Sequence, residues 1–169
     1  MADESPLARY SDLKGRVVFI SGGATGIGKD LVTAFAQQGA KTIFADIQVE
    51  AGEALAAETG AVFAPCDITN VGATKSVLDQ AEAMGGIHVL INNAANDLRI
   101  EASKVTEADW DAQVAVNLKH QFFAAQHAGA LMATRGCGSI INFGSVAPEM
   151  MIQHLAVYSA CKSAARGST

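Results

Sequence analysis

Tyr158 and Lys162 stand four residues apart in the stretch Tyr158-Ser-Ala-Cys-Lys162, and Ser145 lies upstream of them. Four-residue spacing on a helix puts both side chains on one face. An ammonium beside a phenol favours the phenolate, which brings a weak base toward usable pH. A serine hydroxyl nearby can hold a substrate oxygen. Near the start of the chain runs Ser21-Gly-Gly-Ala-Thr-Gly-Ile-Gly28. A glycine turn between a strand and a helix can cradle a phosphate on backbone N–H groups. Phenol, ammonium, hydroxyl and phosphate cradle together suit hydride transfer at an alcohol or carbonyl.

These groups need elements to position them, and the sequence supplies an alternation of short apolar runs and longer helical patterns. Strands are predicted at Val17 to Ile20, Thr42 to Ala45, Val62 to Pro65, His88 to Ile91 and Ser139 to Phe143. Helices are predicted at Ile27 to Gln38, Val49 to Glu58 and Val71 to Met84, ended by Gly39, Gly60 and Gly85-Gly86. A long helix is expected over Glu107 to Ala133. Its apolar stripe is read as Trp110, Val114, Leu118 and Phe122. Continuous apolar strands alternating with helices imply an α/β fold with a parallel sheet covered on both faces. The order is expected to be 3-2-1-4-5 with right-handed crossovers. One domain over residues 1–169 is predicted, with a loose arm over residues 1 to about 14.

Composition narrows the function classes. Half of the 169 residues are apolar and the formal net charge is −5. No basic run exceeds a pair, so nothing invites nucleic acid. The first ten residues lack the apolar core of a secretory signal, and no stretch has the length of a membrane span. Three cysteines without C-x-x-C spacing suggest reduced thiols in a cytoplasmic protein. No metal site is indicated.

Within the glycine run, Gly22 suits the tight turn, Gly26 a close approach of backbone to a pyrophosphate, and Gly28 close packing of helix on strand. The spacing is G-x-x-x-G-x-G rather than the commoner G-x-G-x-x-G. Asp46, at the end of the second strand, either accepts from adenosine ribose hydroxyls or caps the next helix. With no basic residue directly after it to hold a 2′-phosphate, NAD is favoured over NADP. Asp67, after the third strand, either meets the adenine edge or caps a helix.

Taken together, these motifs resemble the short-chain dehydrogenase/reductase family, over nearly the whole chain from Lys14 onward. The matching positions are Gly22, Gly26, Ile27, Gly28, Asp67, Asn92-Asn93-Ala94, Asn117, Ser145, Tyr158 and Lys162. The resemblance implies a Rossmann-type doubly wound sheet and a nicotinamide cofactor. Asp46, Ile68, Asn93, Ala94, Tyr158 and Lys162 would join the glycines in contacting that cofactor. It also implies Tyr158 as general acid/base, Ser145 orienting the reacting oxygen, Lys162 holding the nicotinamide ribose and tuning Tyr158, and Asn117 supporting a proton-relay water. Ser21 replaces the usual threonine. Ala95 replaces a usual glycine, at a cost of about 1 kcal/mol if that position needs positive φ. His88 replaces a frequent aspartate and is read as structural.

The segments Asn92 to Arg99, Asn117 to His120 and Ile141 to Ser145 are similar to the NAD-dependent aldose 1-dehydrogenases. That resemblance implies an aldose sugar or other small alcohol as substrate. The runner-up readings are another secondary-alcohol dehydrogenase and a non-catalytic dinucleotide-binding fragment. Asn96, Asp97 and Arg99 either bind sugar hydroxyls or form a solvated loop. Glu149, Gln153 and His154 are further polar candidates for substrate contact, with Ser145 and Tyr158. Met150 and Met151 either line a pocket or pack. The family's fold continues beyond the Tyr–Lys helix with two more strands and a lid-like segment that these 169 residues do not include. In full-length form a homo-oligomer is expected, a dimer or tetramer.

Overall fold

The structure is a computed structural model that describes residues 8–168. Five strands form one sheet in the order β3-β2-β1-β4-β5, and every pair is parallel. They are β1 (Val17–Ser21), β2 (Lys41–Asp46), β3 (Val62–Pro65), β4 (Ile87–Asn92) and β5 (Ser139–Asn142). The helices are α1 (Gly26–Gln37), α2 (Val49–Thr59), α3 (Val71–Ala83), α4 (Glu107–Val114), α5 (His120–Arg135), α6 (Ala147–Met150) and α7 (Ala156–Gly167). A π-helical segment, Ala115–Lys119, joins α4 to α5 without a break. Strand order and direction are those expected, and strand ends differ from the expected ones by one residue at most.

Alternate residues of the central strands enter two separate cores, as the period of two in a strand requires. Val17, Phe19, Ile43, Ala45 and Leu90 pack with α3 and α5 on one face. Val18, Ile20, Phe44 and Ile91 pack with α1 and α2 on the other. Both faces of β1 are dry, with all five of its residues buried. This is why it reads as an unbroken apolar run rather than an alternation.

His88 has the structural role expected of it. Its Nδ1 accepts from the Val17 N–H at 3.1 Å, where the β1–β4 register is irregular. Only a neutral ring nitrogen can accept, and burial pushes the His88 imidazole down, with Arg16 and Arg135 adding to the effect. The arm is less loose than expected from Ala8 onward. Tyr10 N–H donates to Gln38 Oε1, and Gln38 Nε2 donates to the Ala8 carbonyl. The rest of the expected arm, residues 1–7, lies outside the described residues.

The long helix departs most from expectation. Trp110 and Phe122 are 47% and 51% exposed, so the expected apolar stripe is not the buried face. That face carries Gln113, Asn117, His120, Gln121, Ala124, Ala128 and Met132 instead. At 100° per residue, a repeat of four drifts 40° each time, or about 120° between Trp110 and Phe122. The π turn inserts a further phase shift. Helix α7 packs on α4 and on the π segment, while α3 and β4 cover α5.

Candidate active site

A cavity of about 490 Å³ opens at the carboxyl ends of β1, β2 and β4, where ligands bind in open α/β sheets. Eight of the residues singled out for a dinucleotide line it: Gly22, Ile27, Gly28, Asp46, Asp67, Ile68, Asn93 and Ala94. Its rim includes Thr25, Gln48 and Val116, which the sequence motifs do not mark. Gly26 does not line the cavity. A Cβ built on it would meet nothing within 4 Å, so the turn is open where a phosphate would approach.

Hydrogen bonds fix the turn before any ligand arrives. Gly22 N–H donates to the Ala45 carbonyl at 2.7 Å. Ala24 N–H donates to Asp46 Oδ2 at 2.9 Å, and Gln48 N–H donates to Asp46 Oδ1 at 3.0 Å. Ser21 Oγ accepts from the N–H groups of Asn93 and Ala94. Asn93 Nδ2 donates to the carbonyls of Ser21 and Gly22. Serine thus does here what threonine could do with the same oxygen. Thr25 is the N-cap of α1 but makes no capping bond with its side chain; its Oγ1 accepts from Gln48 instead. The first N–H groups of α1 therefore lack a capping acceptor from Thr25, and Ile27 and Gly28 of that first turn line the cavity. An open glycine turn, a helix N-terminus and a carboxylate on the neighbouring strand fit a dinucleotide in donor chemistry and in space.

Two of the alternatives raised by the sequence are removed here. Neither aspartate caps a helix. Gln48 and Asn70 stand at the N-caps of α2 and α3, while Asp67 Oδ1 accepts from Thr69 N–H and Oγ1. Ala95 is absent from the positive-φ residues, so the strain considered for alanine there does not arise.

Tyr158, Lys162 and Ser145 lie apart from the cavity lining. Lys162 is 1% exposed. Its Nζ donates to the Phe143 carbonyl at 2.7 Å and sits 5.7 Å from the centre of the Tyr158 ring. Burial pushes the Lys162 ammonium down, with Cys161 opposing. The Phe143 bond ties α7 to the β5–α6 loop that carries Ser145. Ser145 Oγ accepts from Ala147 N–H at 3.1 Å, which fixes that loop.

Asn117 is fully buried in the π segment. Its Oδ1 accepts from Asn96 N–H and its Nδ2 donates to the Asn96 carbonyl, both at 2.9 Å. This pair clamps the loop after β4 that forms one wall of the cavity. The same loop reaches the segment before α7, where Ile100 N–H donates to the His154 carbonyl at 2.9 Å. Asn96, Arg99, Gln153 and His154 are exposed, and of these Asn96 alone lines the cavity. Met150 and Met151 are 65% and 87% exposed, so neither packs among the described residues. Met151 and His154 both have positive φ, 48° and 65°, unusual for side chains of their size. Among the described residues no cluster of His, Cys, Asp and Glu could hold a metal ion. No helix among them is long and apolar enough to cross a membrane.

His120, which the sequence marks only as the last residue of the Asn117 to His120 segment and with no role, is buried. Burial, reinforced by the Lys162 charge, pushes its imidazole down to about 4, against a weaker opposing pull from the Val116 carbonyl. Its folded value lies below the unfolded one near 6.5, so its contribution to stability is present above pH 6.5. That contribution is lost as pH falls from there toward about 4. The interval corresponds to about 3 kcal/mol. Urea unfolding at pH 7 and pH 4.5 should show this loss, and His120→Gln should remove most of it. An equal loss in the substituted chain would show that acid acts elsewhere.

The chain belongs to the short chain dehydrogenase family, whose model matches residues 16–169. It is 42% identical over 171 residues to the probable galactose dehydrogenase of Rhizobium meliloti, covering 97% of this chain and 67% of that protein. It is 41% identical over 167 residues to the D-xylose 1-dehydrogenase of Caulobacter vibrioides, covering 96% of this chain and 66% of that protein. The fold is similar to a crystal structure of a protein from Sinorhizobium meliloti 1021 assigned to the short-chain alcohol dehydrogenases. There the TM-score is 0.86 at 36% identity, with 92% of this chain and 64% of that chain covered. The chain thus spans about two thirds of the length of these relatives.

Proposed function

We propose that the whole protein is an NAD-dependent dehydrogenase that oxidises an aldose at its ring hemiacetal carbon to a lactone. The observation that carries the reading is the buried Lys162 ammonium, bonded to the Phe143 carbonyl and held beside the Tyr158 ring. Four residues apart on α7, the two side chains share one face, so a phenol able to exchange a proton with a substrate hydroxyl stands beside a fixed cationic group.

In this reading Ser145 holds the reacting oxygen and Tyr158 accepts its proton as the C–H electron pair leaves the same carbon. When bound, the nicotinamide supplies the acceptor for that hydride. Gly22, Gly26, Ile27 and Gly28 hold the pyrophosphate, Asp46 the adenosine ribose, Asp67 and Ile68 the adenine, Asn93 and Ala94 the inner wall, and Lys162 the second ribose. The Asn117 amide is engaged by Asn96, so its help to a relay water would come through the loop it holds or through its own backbone. Asn96, Arg99, Gln153 and His154 are the candidates for sugar hydroxyls. Support for a sugar comes from the names of the two relatives at 41–42% identity, a galactose and a xylose dehydrogenase. Residues 1–169 act as one dinucleotide-binding unit. The exposed Trp110 and Phe122 are consistent with association of copies into a dimer or tetramer.

The cofactor preference rests on Asp46, whose carboxylate would repel a 2′-phosphate. Asp46→Ala should relax discrimination against NADP. It also removes acceptors for two backbone N–H groups of the turn, so Asp46→Asn, which retains an acceptor, is the cleaner variant. Titrating both dinucleotides against the unsubstituted protein and Asp46→Asn checks this. Tighter binding of NADP by the unsubstituted protein would contradict it.

A further inference from the structure

Thr25 and Gln48 both line the cavity and have no role in the reading above. They meet in a hydrogen bond from Gln48 Nε2 to Thr25 Oγ1 at 3.1 Å. It joins the start of α1 to the turn between β2 and α2. Thr25 has the extended backbone of an N-cap, with φ −140° and ψ 168°. A threonine there commonly spends its oxygen on N–H groups of the first turn. Here it accepts from Gln48 and makes no capping bond. Gln48 is itself the N-cap of α2, and its side chain makes no capping bond either. The bond between the two side chains thus serves neither helix as a cap.

A hydroxyl has one hydrogen to give and two lone pairs to offer. With Gln48 on a lone pair, the Thr25 hydrogen has no acceptor among the described residues. Accepting one hydrogen bond strengthens a hydroxyl as the donor in the next. Thr25 lines the cavity together with Gly22, Ile27 and Gly28 of the glycine turn. An anionic phosphate oxygen is the acceptor that suits such a donor best. The carboxylate of the site is fixed separately. Asp46 Oδ2 accepts from Ala24 N–H, and Oδ1 accepts from Gln48 N–H. Both donors are backbone and remain whatever side chain stands at position 48. The Gln48 side chain therefore acts on Thr25, not on Asp46.

We propose that Gln48 is a positioning residue for dinucleotide binding, which holds the Thr25 hydroxyl with its hydrogen free to donate to a phosphate oxygen of the dinucleotide. The proposal rests on the reading of the cavity as a dinucleotide site and adds a hydroxyl donor to its backbone N–H groups. Thr25 would touch the phosphate, and Gln48 would act through Thr25.

The test compares two ligands of the whole protein without turnover. ADP carries the pyrophosphate and is titrated by calorimetry; adenosine carries no phosphate and is titrated by NMR. Gln48→Leu and Thr25→Val are each expected to weaken ADP by about tenfold, the scale of one hydrogen bond to a charged group. The double variant should lose no more than either alone, because both changes remove one interaction. Thr25→Ser keeps the hydroxyl and should bind ADP nearly as the unsubstituted protein does. Adenosine affinity should be unchanged throughout, since Asp46 keeps both backbone donors. A strut that merely supported the turn would lower both ligands together. An equal fall for adenosine and ADP, additive losses in the double variant, or unmoved ADP affinity in Gln48→Leu would each overturn the proposal. Both side chains are exposed, so folding should survive; should Gln48→Leu not fold, Thr25→Val against Thr25→Ser decides, and equal ADP affinity in those two would refute the donor. A protein that binds neither ADP nor NAD would reject the dinucleotide reading and the proposal with it. One that binds both, with losses other than those expected, would reject the proposal alone.

Discussion

Tyr158→Phe is expected to lower turnover of the whole protein by about 10²–10⁴-fold, the usual contribution of general acid–base catalysis, with NAD affinity nearly unchanged. The substitution removes one hydroxyl. No hydrogen bond among the described residues uses that hydroxyl, so packing of the half-buried ring and the stability of α7 should survive. Lys162→Ala is expected to harm both turnover and binding. It empties a side chain that is 1% exposed and releases the Phe143 carbonyl that joins α7 to the Ser145 loop. Steady-state rates alongside dinucleotide titrations separate the two. Unchanged turnover in Tyr158→Phe would remove Tyr158 from the mechanism.

Gly28→Ala is expected to abolish dinucleotide binding and to destabilise the chain by about 3 kcal/mol. A Cβ on Gly28 would lie 1.8 Å from the Gly22 carbonyl oxygen and 2.8 Å from Asn93 Nδ2. The first of these is backbone, so the turn itself must open. Overpacking alone costs about 1–3 kcal/mol. Separating Gly22 from Asn93 also breaks a 2.9 Å hydrogen bond, worth about 1 kcal/mol more. Gly26→Ala makes the contrast. Its φ is +55° and its Cβ would meet no protein atom, so it should cost only about 1 kcal/mol. The added methyl would still stand in the open turn and weaken binding. Urea unfolding and NAD titration of the two variants check this, and similar stability losses in both would contradict the steric account.

Much of the framework was legible because each strand is an apolar run closed by glycine or a polar turn. Val17 to Ile20 and Val62 to Pro65 could be read almost to the residue. The cavity was legible for the same reason: the glycine turn and the carboxyl ends of β2, β3 and β4 are fixed by chain order once the sheet is parallel. The face of the long helix was not. Its buried side carries alanines and amides rather than large apolar residues, so a hydrophobic stripe is a poor guide, and a π turn leaves no signature in spacing. Asn117 gave the one hint, as a polar residue interrupting an apolar pattern. His120 stood only at the end of a resembling segment, and residue type alone does not place an imidazole in the interior. For Asp46 and Asp67, Gln48 and Asn70 at the caps remove the capping reading, and ligand contact remains the proposed role. The substrate side stays least legible. Asn96, Arg99, Gln153 and His154 lie on exposed loops, where residue type alone does not fix a partner.

The central claim is NAD-dependent oxidation of an aldose at its hemiacetal carbon. The most direct measurement follows the isotope at that carbon. The whole protein is incubated with NAD and either galactose or xylose deuterated at C1, beside simple secondary alcohols deuterated at the carbinol carbon. The account predicts lactone and reduced NAD in equal amounts, with the C1 deuterium lost from the sugar and recovered in the reduced NAD. Retention of deuterium at C1, or transfer from the secondary alcohols alone, would contradict it.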